Sequence, residues 1–157
     1  MNISKQNLFH FSKVMAVLLV IGYIQLMYVN NEEVPRYENG QLKFYGIYKN
    51  GRPEGKWTWW FEDGKKMSEG YFSNGKRNGE WTTWFTGGEE KSRGIYRDDK
   101  LDGRYLKWHR NGVMAFEGNY AQDKLDGAQN YYDTSGKLVI TEVYSIGELI
   151  SKSLKKD

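Results

Sequence analysis

Two patterns of hydrophobic and polar residues divide the chain. Residues 8–29 form an almost continuous apolar run, and its part from Val14 to Val29 contains no charged residue. From about residue 38 onward, segments rich in aromatic and β-branched residues are separated by glycine-containing dipeptides. The continuous run predicts an apolar helix, and the later segments predict short β-strands joined by turns.

The apolar run is long enough to cross a membrane. Twenty-two helical residues span roughly 33 Å, against a hydrocarbon core of about 30 Å. Lys5 and Lys13 precede the run, whereas Glu32 and Glu33 follow it. Because lysine and arginine favour the cytoplasmic side, this bias predicts a cytoplasmic N-terminus and a single-pass signal anchor.

This interpretation divides the chain into an anchor with a short linker, residues 1–34, and a repeat domain, residues 35–157, on the extracytoplasmic side of the membrane. No small-x-small cleavage site follows the apolar run, where Gln25, Leu26 and Met27 stand. A cleaved signal peptide, which would leave a secreted or periplasmic domain, and a buried soluble helix nevertheless remain alternatives.

The second part of the chain repeats every 24 residues, which is typical of repeat architectures. Three columns of this repeat are predicted to be structural. They are a first set of glycines (Gly46, Gly70, Gly94, Gly118), a second set (Gly55, Gly79, Gly103, Gly127) and a tryptophan column (Trp57, Trp81).

Each repeat contains two turn signals and therefore predicts one hairpin. Asp63-Gly64 and its equivalents favour positive φ and type I′ turns of two residues, whereas the second signal, exemplified by Asn50-Gly51, is taken to centre on Gly51-Arg52. The fold class that follows is all-β: a single-layer, curled antiparallel meander of about five hairpin repeats with nine or ten strands, after one transmembrane helix.

These turns also predict a register. Trp57 faces Gly70 on one side and Gly46 on the other, while Gly55 faces Phe72 and Tyr48. Each glycine then lies beside an aromatic ring that covers its backbone, which explains why glycine recurs inside strands.

The spacing Gly46-x-Tyr48, Asn50-Gly51, Gly55-x-Trp57-x-x-Trp60-Phe61 and Asp63-Gly64-Lys65 resembles the MORN repeat. It is most similar to the bacterial variant of the antitoxin-type MORN family, over about residues 38–145. The resemblance implies an elongated, curled β-meander with a binding or scaffolding role. The final repeat departs from the pattern at Gln129 and Glu142, which suggests a terminal cap.

Composition and charge exclude several classes of function. The chain has 157 residues, no cysteine, two histidines and a net charge of +3 from interleaved acids and bases. Thiol chemistry and cysteine-ligated metals are excluded, and His109 has no histidine partner for a metal site. Aspartates such as Asp99 and Asp123 suit turns better than catalysis or calcium binding. We expect no catalytic residue, metal, cofactor or nucleic-acid partner.

An aromatic strip is the strongest candidate binding site. Because side chains alternate along a strand, Trp60 is predicted to point away from Trp57, which shares the glycine-lined face with Tyr48 and Phe72. Trp60, Trp84, Trp108 and Tyr132 then form a row on the other face. Their predicted neighbours on the adjacent strands are Lys43, Met67, Lys91 and Ala115.

These features favour a non-enzymatic, membrane-anchored scaffold that binds a protein partner, since repeats give extended surfaces rather than enclosed pockets. Two alternatives remain open. The strip suits a cell-surface glycan or cell-wall ligand, and the resemblance implies an antitoxin-type protein that neutralises a partner.

Overall fold

The repeat domain is all-β. The structure, a computed structural model, describes residues 34–155, and the predicted transmembrane segment lies outside them. Within this range no helix is long and apolar enough to cross a membrane. The described strands form one antiparallel sheet of 11 strands, in which chain neighbours are sheet neighbours apart from one short strand. The predicted single-layer antiparallel meander is therefore confirmed, with 11 strands rather than the predicted nine or ten.

The strands follow one another along the chain with few intervening residues. They are β1 (Phe44–Lys49), β2 (Arg52–Trp60), β3 (Lys66–Ser73), β4 (Lys76–Trp84), β5 (Glu90–Arg97), β6 (Lys100–Trp108), β7 (Met114–Ala121), β8 (Lys124–Leu125), β9 (Gly127–Tyr132), β10 (Leu138–Ser145) and β11 (Glu148–Leu154). The short strand β8 pairs only with β7, and β9 continues the sheet.

The turns that join β1 to β2 and its equivalents are two-residue turns, which we call tight turns. Asn50 and Gly51 have φ of 52° and 71°, and both central residues have positive φ in every later tight turn as well. This is the type I′ geometry. Lys49 pairs with Arg52, so the turn centres on Asn50-Gly51 and the predicted centre on Gly51-Arg52 is wrong.

The turns that join β2 to β3 and its equivalents are three-residue turns, which we call wide turns. Gly64 donates to the carbonyl of Phe61 at 2.9 Å, and Phe61 donates to the carbonyl of Lys65 at 2.8 Å. Only the glycine has positive φ, 82° at Gly64. This is a type I turn closed by a left-handed glycine, so the predicted type I′ geometry is wrong for this set.

The wide turn is followed by a bulge, so the predicted register between β2 and β3 holds only as far as Trp59. Trp57 pairs with Gly70, and Gly55 pairs with Phe72, as predicted, but Trp60 pairs with Lys66 because the register shifts after Trp59. The same shift recurs in the next two hairpins. The extra residue of the bulge, Met67, is therefore not the partner of Trp60.

The predicted register between β1 and β2 holds only in part. The register shifts between Tyr45 and Ile47, so Tyr48 pairs with Pro53 and not with Gly55. The glycines of the Gly55 column have positive φ, 70° at Gly55, which β-branched or bulky residues rarely adopt. Backbone conformation, rather than a covering ring, explains this column.

The other glycine column lies beneath aromatic rings. A Cβ atom added at Gly46 would overlap the indole of Trp57, one at Gly70 would overlap that of Trp81, and one at Gly94 would lie 2.6 Å from Tyr105. The Trp81 indole also donates from Nε1 to the carbonyl of Tyr71 at 3.1 Å. The two tryptophan rings thus pack on bare backbone, and each donates a hydrogen bond to the carbonyl of the residue that follows the covered glycine.

Gln129 of β9 takes the place of the covering tryptophan. Its side chain is fully buried, and a Cβ atom at Gly118 would overlap its amide oxygen. Nε2 donates to the carbonyl of Asn119 at 3.0 Å, the residue that follows the glycine. Gln129 therefore reproduces the hydrogen bond of the indole, and its interpretation as part of a terminal cap is wrong.

The cap begins one strand later. Glu142 occupies the glycine column. Its carboxylate forms an ion pair at 2.8 Å with the ammonium of Lys152, the residue with which it pairs on β11. A charge pair thus replaces the ring and the glycine, and all residues of β11 are exposed. Lysine on an edge strand discourages further strand pairing, which is the role of a cap.

We predict that Gly70→Ala destabilises the sheet by about 1–3 kcal/mol, because the added methyl group must displace the Trp81 ring. Urea unfolding monitored by tryptophan fluorescence measures this change. Gly87→Ala is the matched control, since its Cβ atom would meet only the mobile end of the Glu89 side chain. Equal effects of the two substitutions would contradict the role of the ring.

Candidate interaction surface

One face of the sheet is covered by aromatic rings that touch each other, and we call it the ring face. Trp57 and Trp59 have centroids 5.6 Å apart, and Trp59 lies 5.4 Å from Trp81. Further rings extend these contacts along both halves of the sheet: Phe44, Tyr48, Phe72, Tyr96, Tyr105, Phe116, Tyr120 and Tyr131. These rings serve mainly as the core of a single-layer sheet.

The opposite face carries ion pairs, and we call it the charged face. Glu69 accepts from Lys56 at 3.0 Å and from Lys66 at 2.8 Å. Further along, Arg93 pairs with Glu90 at 2.7 Å and with Glu80 at 3.9 Å, and Arg104 pairs with Glu117 at 3.1 Å. The pairs of Lys56 with Glu69, Glu80 with Arg93 and Arg104 with Glu117 cross between neighbouring strands, whereas Lys66–Glu69 and Glu90–Arg93 lie within one strand.

Hydrogen bonds change the acidity of the carboxylates in these ion pairs. Partial burial alone would raise the pKa of Glu69, but hydrogen bonds from Lys66 and Lys56 hold it below its ordinary value. A hydrogen bond from the Tyr132 hydroxyl and a second from Arg104 likewise lower the pKa of Glu117. Both groups are therefore ionised near neutral pH and contribute stability there.

The four aromatic residues of the predicted strip are half-buried and lie near the wide turns. Contacts with charged-face residues place three of them on that face. The Lys66 ammonium lies 5.4 Å from the Trp84 ring, and the Arg93 guanidinium lies 5.8 Å from the Trp108 ring. The Tyr132 hydroxyl donates to Glu117 at 2.9 Å. Trp60 follows Trp59 in β2, so strand alternation places it there too.

The strip differs from the prediction in its neighbours. The bulges place Lys66, Glu90 and Met114 opposite the tryptophans, so the predicted neighbours Met67, Lys91 and Ala115 are wrong. The Lys91 ammonium instead lies 5.9 Å from the Phe85 ring.

Lys43 is a neighbour of the strip through its backbone. Its carbonyl accepts from the Trp60 amide at 3.0 Å. Its ammonium, however, lies 5.3 Å from the Tyr37 ring rather than between strip members. Among the described residues, no ring contact joins two members of the strip. A cation lies beside the Trp84 ring and another beside the Trp108 ring, and an acid binds the Tyr132 hydroxyl.

Exposed apolar residues on the charged face were missed by the sequence interpretation. Tyr45 and Ile47 are each 56% exposed, Tyr71 is 50% exposed, and Ile95 is 36% exposed. Ile47, Tyr71 and Ile95 are the middle residues of the Gly-x-Tyr or Gly-x-Phe motifs, so strand alternation alone places them opposite the glycine-lined face. A shallow depression of about 140 Å³ beside Ile95 is lined by Arg93, Arg104, Glu80 and Leu106.

The aspartates at the tight turns bind backbone. Asp123 donates from its amide to the carbonyl of Leu101 at 2.8 Å, and its carboxylate accepts from the Leu101 amide at 2.7 Å. Asp99 binds Arg77 in the same way. Gly75 occupies the equivalent position opposite Pro53, which has no amide hydrogen to offer. In these two turns, aspartate therefore occupies the position at which the residue opposite has a backbone amide to donate.

His109 also has a structural partner. Its Nε2 atom lies 2.9 Å from the carbonyl oxygen of Tyr132, one hairpin further along the sheet. Between residues 34 and 155, no group of three histidine or acidic side chains is arranged to hold a metal ion.

Three segments of the chain, residues 36–50, 53–74 and 101–122, match the family model described as MORN repeat variant. They comprise just over a third of the chain, and the second and third coincide with the hairpins of β2 with β3 and of β6 with β7. No curated protein is significantly similar to the chain. The described part of the chain is thus a β-hairpin repeat sheet in which three segments are similar to the MORN repeat variant, and MORN repeats commonly mediate interactions with proteins or membranes.

We predict that Glu117→Gln lowers the free energy of unfolding by about 1 kcal/mol at neutral pH, because charged hydrogen bonds from Tyr132 and Arg104 are weakened. A carboxylate whose pKa is lowered by folding contributes stability above its unfolded pKa and loses it as the pH falls. The difference from wild type should therefore shrink as the pH falls below 4.5.

Urea titrations at neutral and acidic pH measure this difference. Glu38→Gln is the control, since Glu38 is exposed and its side chain makes no contact of this kind within the described residues. A cost for Glu117→Gln that is equal at every pH would contradict the assignment.

Proposed function

We propose that the protein is a non-enzymatic interaction scaffold, held at a membrane by its N-terminal apolar segment, with its repeat domain on the extracytoplasmic side. The observation that carries the proposal is the charged face, which carries both ion pairs and apolar side chains exposed by about half, Tyr45, Ile47 and Tyr71. Such a mixture of apolar area and charge is suited to a protein partner.

The strip lies along one edge of this surface and supplies its proposed main contact residues. Trp60, Trp84, Trp108 and Tyr132 present half-buried rings at two-strand intervals, with Lys43 and Lys91 near the same edge of the sheet. Half-buried tryptophan combines large contact area with little loss of side-chain entropy, as in the residues that dominate many interfaces. An open sheet offers this surface to an extended partner without the enclosed cavity that catalysis usually needs.

We predict that Trp84→Ala combined with Trp108→Ala lowers the capture of the partner at least about tenfold, because two interface anchors are lost. Crosslinking in intact membranes, followed by affinity purification of the full chain and mass spectrometry, measures the capture. Leu149→Ala with Ile150→Ala is the control, since both residues are exposed and apolar but lie on β11, away from the strip. Undiminished capture by the folded tryptophan variant would exclude the strip.

The membrane topology is testable because the chain has no cysteine. A single Lys100→Cys substitution, at an exposed position of the sheet, should be labelled by a membrane-impermeant maleimide in intact cells. Asn7→Cys, on the predicted cytoplasmic side, should be labelled only after lysis. Labelling of Asn7→Cys but not of Lys100→Cys in intact cells would reverse the topology, and recovery of the labelled domain in the soluble fraction would indicate a cleaved signal peptide.

A further inference from the structure

The ion pairs of the charged face reverse their signs from one repeat to the next. Three columns at the 24-residue period show the reversal. On the hairpin of β2 and β3 the residues are Lys56, Lys66 and Glu69, and we call them the positive cluster. On the hairpin of β4 and β5 the same columns hold Glu80, Glu90 and Arg93, which we call the negative cluster.

Each cluster has a central charge flanked by two opposite ones. Glu69 is 21% exposed in its side chain, whereas Lys56 and Lys66 are 50% and 47% exposed. In the negative cluster, Arg93 pairs with both Glu80 and Glu90. The formal charges leave +1 on one cluster and −1 on the other, and the clusters lie on adjacent hairpins.

Ion pairing inside the chain does not require this reversal. Each pair joins two columns within one hairpin, so identical signs in every repeat would form the same pairs. What the reversal adds is a surface with two neighbouring patches of opposite net charge. Such a surface is complementary to itself when it is turned by half a revolution.

We propose that a second copy of this chain binds the charged face. The two-fold axis that relates the copies runs parallel to the strands, between β3 and β4. The positive cluster of each copy then faces the negative cluster of the other, and the contact occurs twice. This inference rests on the proposed function, since it names a partner for the same face.

The apolar residues of the face support the arrangement. Tyr45, Ile47, Tyr71 and Ile95 lie on β1, β3 and β5, on both sides of the proposed axis. Six adjacent strands of about eight residues cover roughly 29 by 26 Å, or about 750 Å² per copy. That area is close to the roughly 800 Å² per partner of a stable protein interface.

Charge inversion tests the proposal while keeping the ion pairs within each chain. The first variant carries Lys56→Glu, Lys66→Glu and Glu69→Lys, and the second carries Glu80→Lys, Glu90→Lys and Arg93→Glu. Each variant presents like charges to its own copy, so its dissociation constant for self-association should rise about tenfold or more. The full-length chain in a non-ionic detergent, studied by sedimentation, provides the measurement.

Two matched combinations should restore association. An equal mixture of the two variants should form a mixed dimer, because one copy is then negative and the other positive on both clusters. A single chain that carries all six substitutions should again associate with itself. In each case added salt should weaken the dimer. If an inverted variant does not fold, Lys56→Gln with Lys66→Gln replaces it and should weaken self-association.

A wild-type chain that stays monomeric at all concentrations overturns the proposal, and so does a dimer that the inversions do not weaken. These failures are distinguishable from failure of the scaffold itself. If Trp84→Ala with Trp108→Ala abolishes capture of another protein while inversion changes nothing, the scaffold stands and the two-fold dimer is wrong. If inversion abolishes self-association but the tryptophan variant keeps every captured protein, the dimer stands and the strip is wrong.

Discussion

The sheet depends on one interaction, the packing of a large side chain on the bare backbone of a glycine in the neighbouring strand. Trp57 over Gly46 and Trp81 over Gly70 show it most clearly. A single-layer sheet has no second layer to bury its apolar residues, so its core must lie on the sheet itself. Glycine makes room for that core, and the ring shields the exposed peptide groups from water.

This interaction also separates the two faces. Because side chains alternate along a strand, the residues next to each covering ring must point to the opposite face. With the rings used as a core, that opposite face is free to vary, and it carries the ion pairs, the exposed apolar residues and the aromatic strip. The repeat therefore keeps a large covering side chain where it holds the sheet together, whereas on the opposite face the strip recurs and the charged positions change from repeat to repeat.

The period and the central register could be predicted from sequence, because glycine and tryptophan columns recur at one spacing and fix the pairing of Trp57 with Gly70. The turn geometry could not. Asp-Gly suits both a two-residue turn and a three-residue turn, and only the backbone shows which residue has positive φ. Because of this difference of one residue, Trp60 pairs with Lys66 instead of the predicted Met67.

The role of Gln129 was also beyond sequence reasoning. It differs from tryptophan in size and aromaticity, and only the geometry shows that its amide donates to the carbonyl that follows Gly118. The proposed two-fold contact could not be predicted from sequence for another reason: the signs of Lys56 and Glu80 become informative only once the hairpins place them on one face.

The most direct measurement of the central interaction is the proton chemical shift of the glycines beneath the covering side chains. A proton held over the face of an aromatic ring resonates upfield. Upfield Hα resonances are expected for Gly46 and Gly70 and none for Gly79, where an added Cβ atom would meet nothing within 4 Å. Unshifted resonances at Gly46 and Gly70 in the folded chain would contradict the packing of the rings on these glycines.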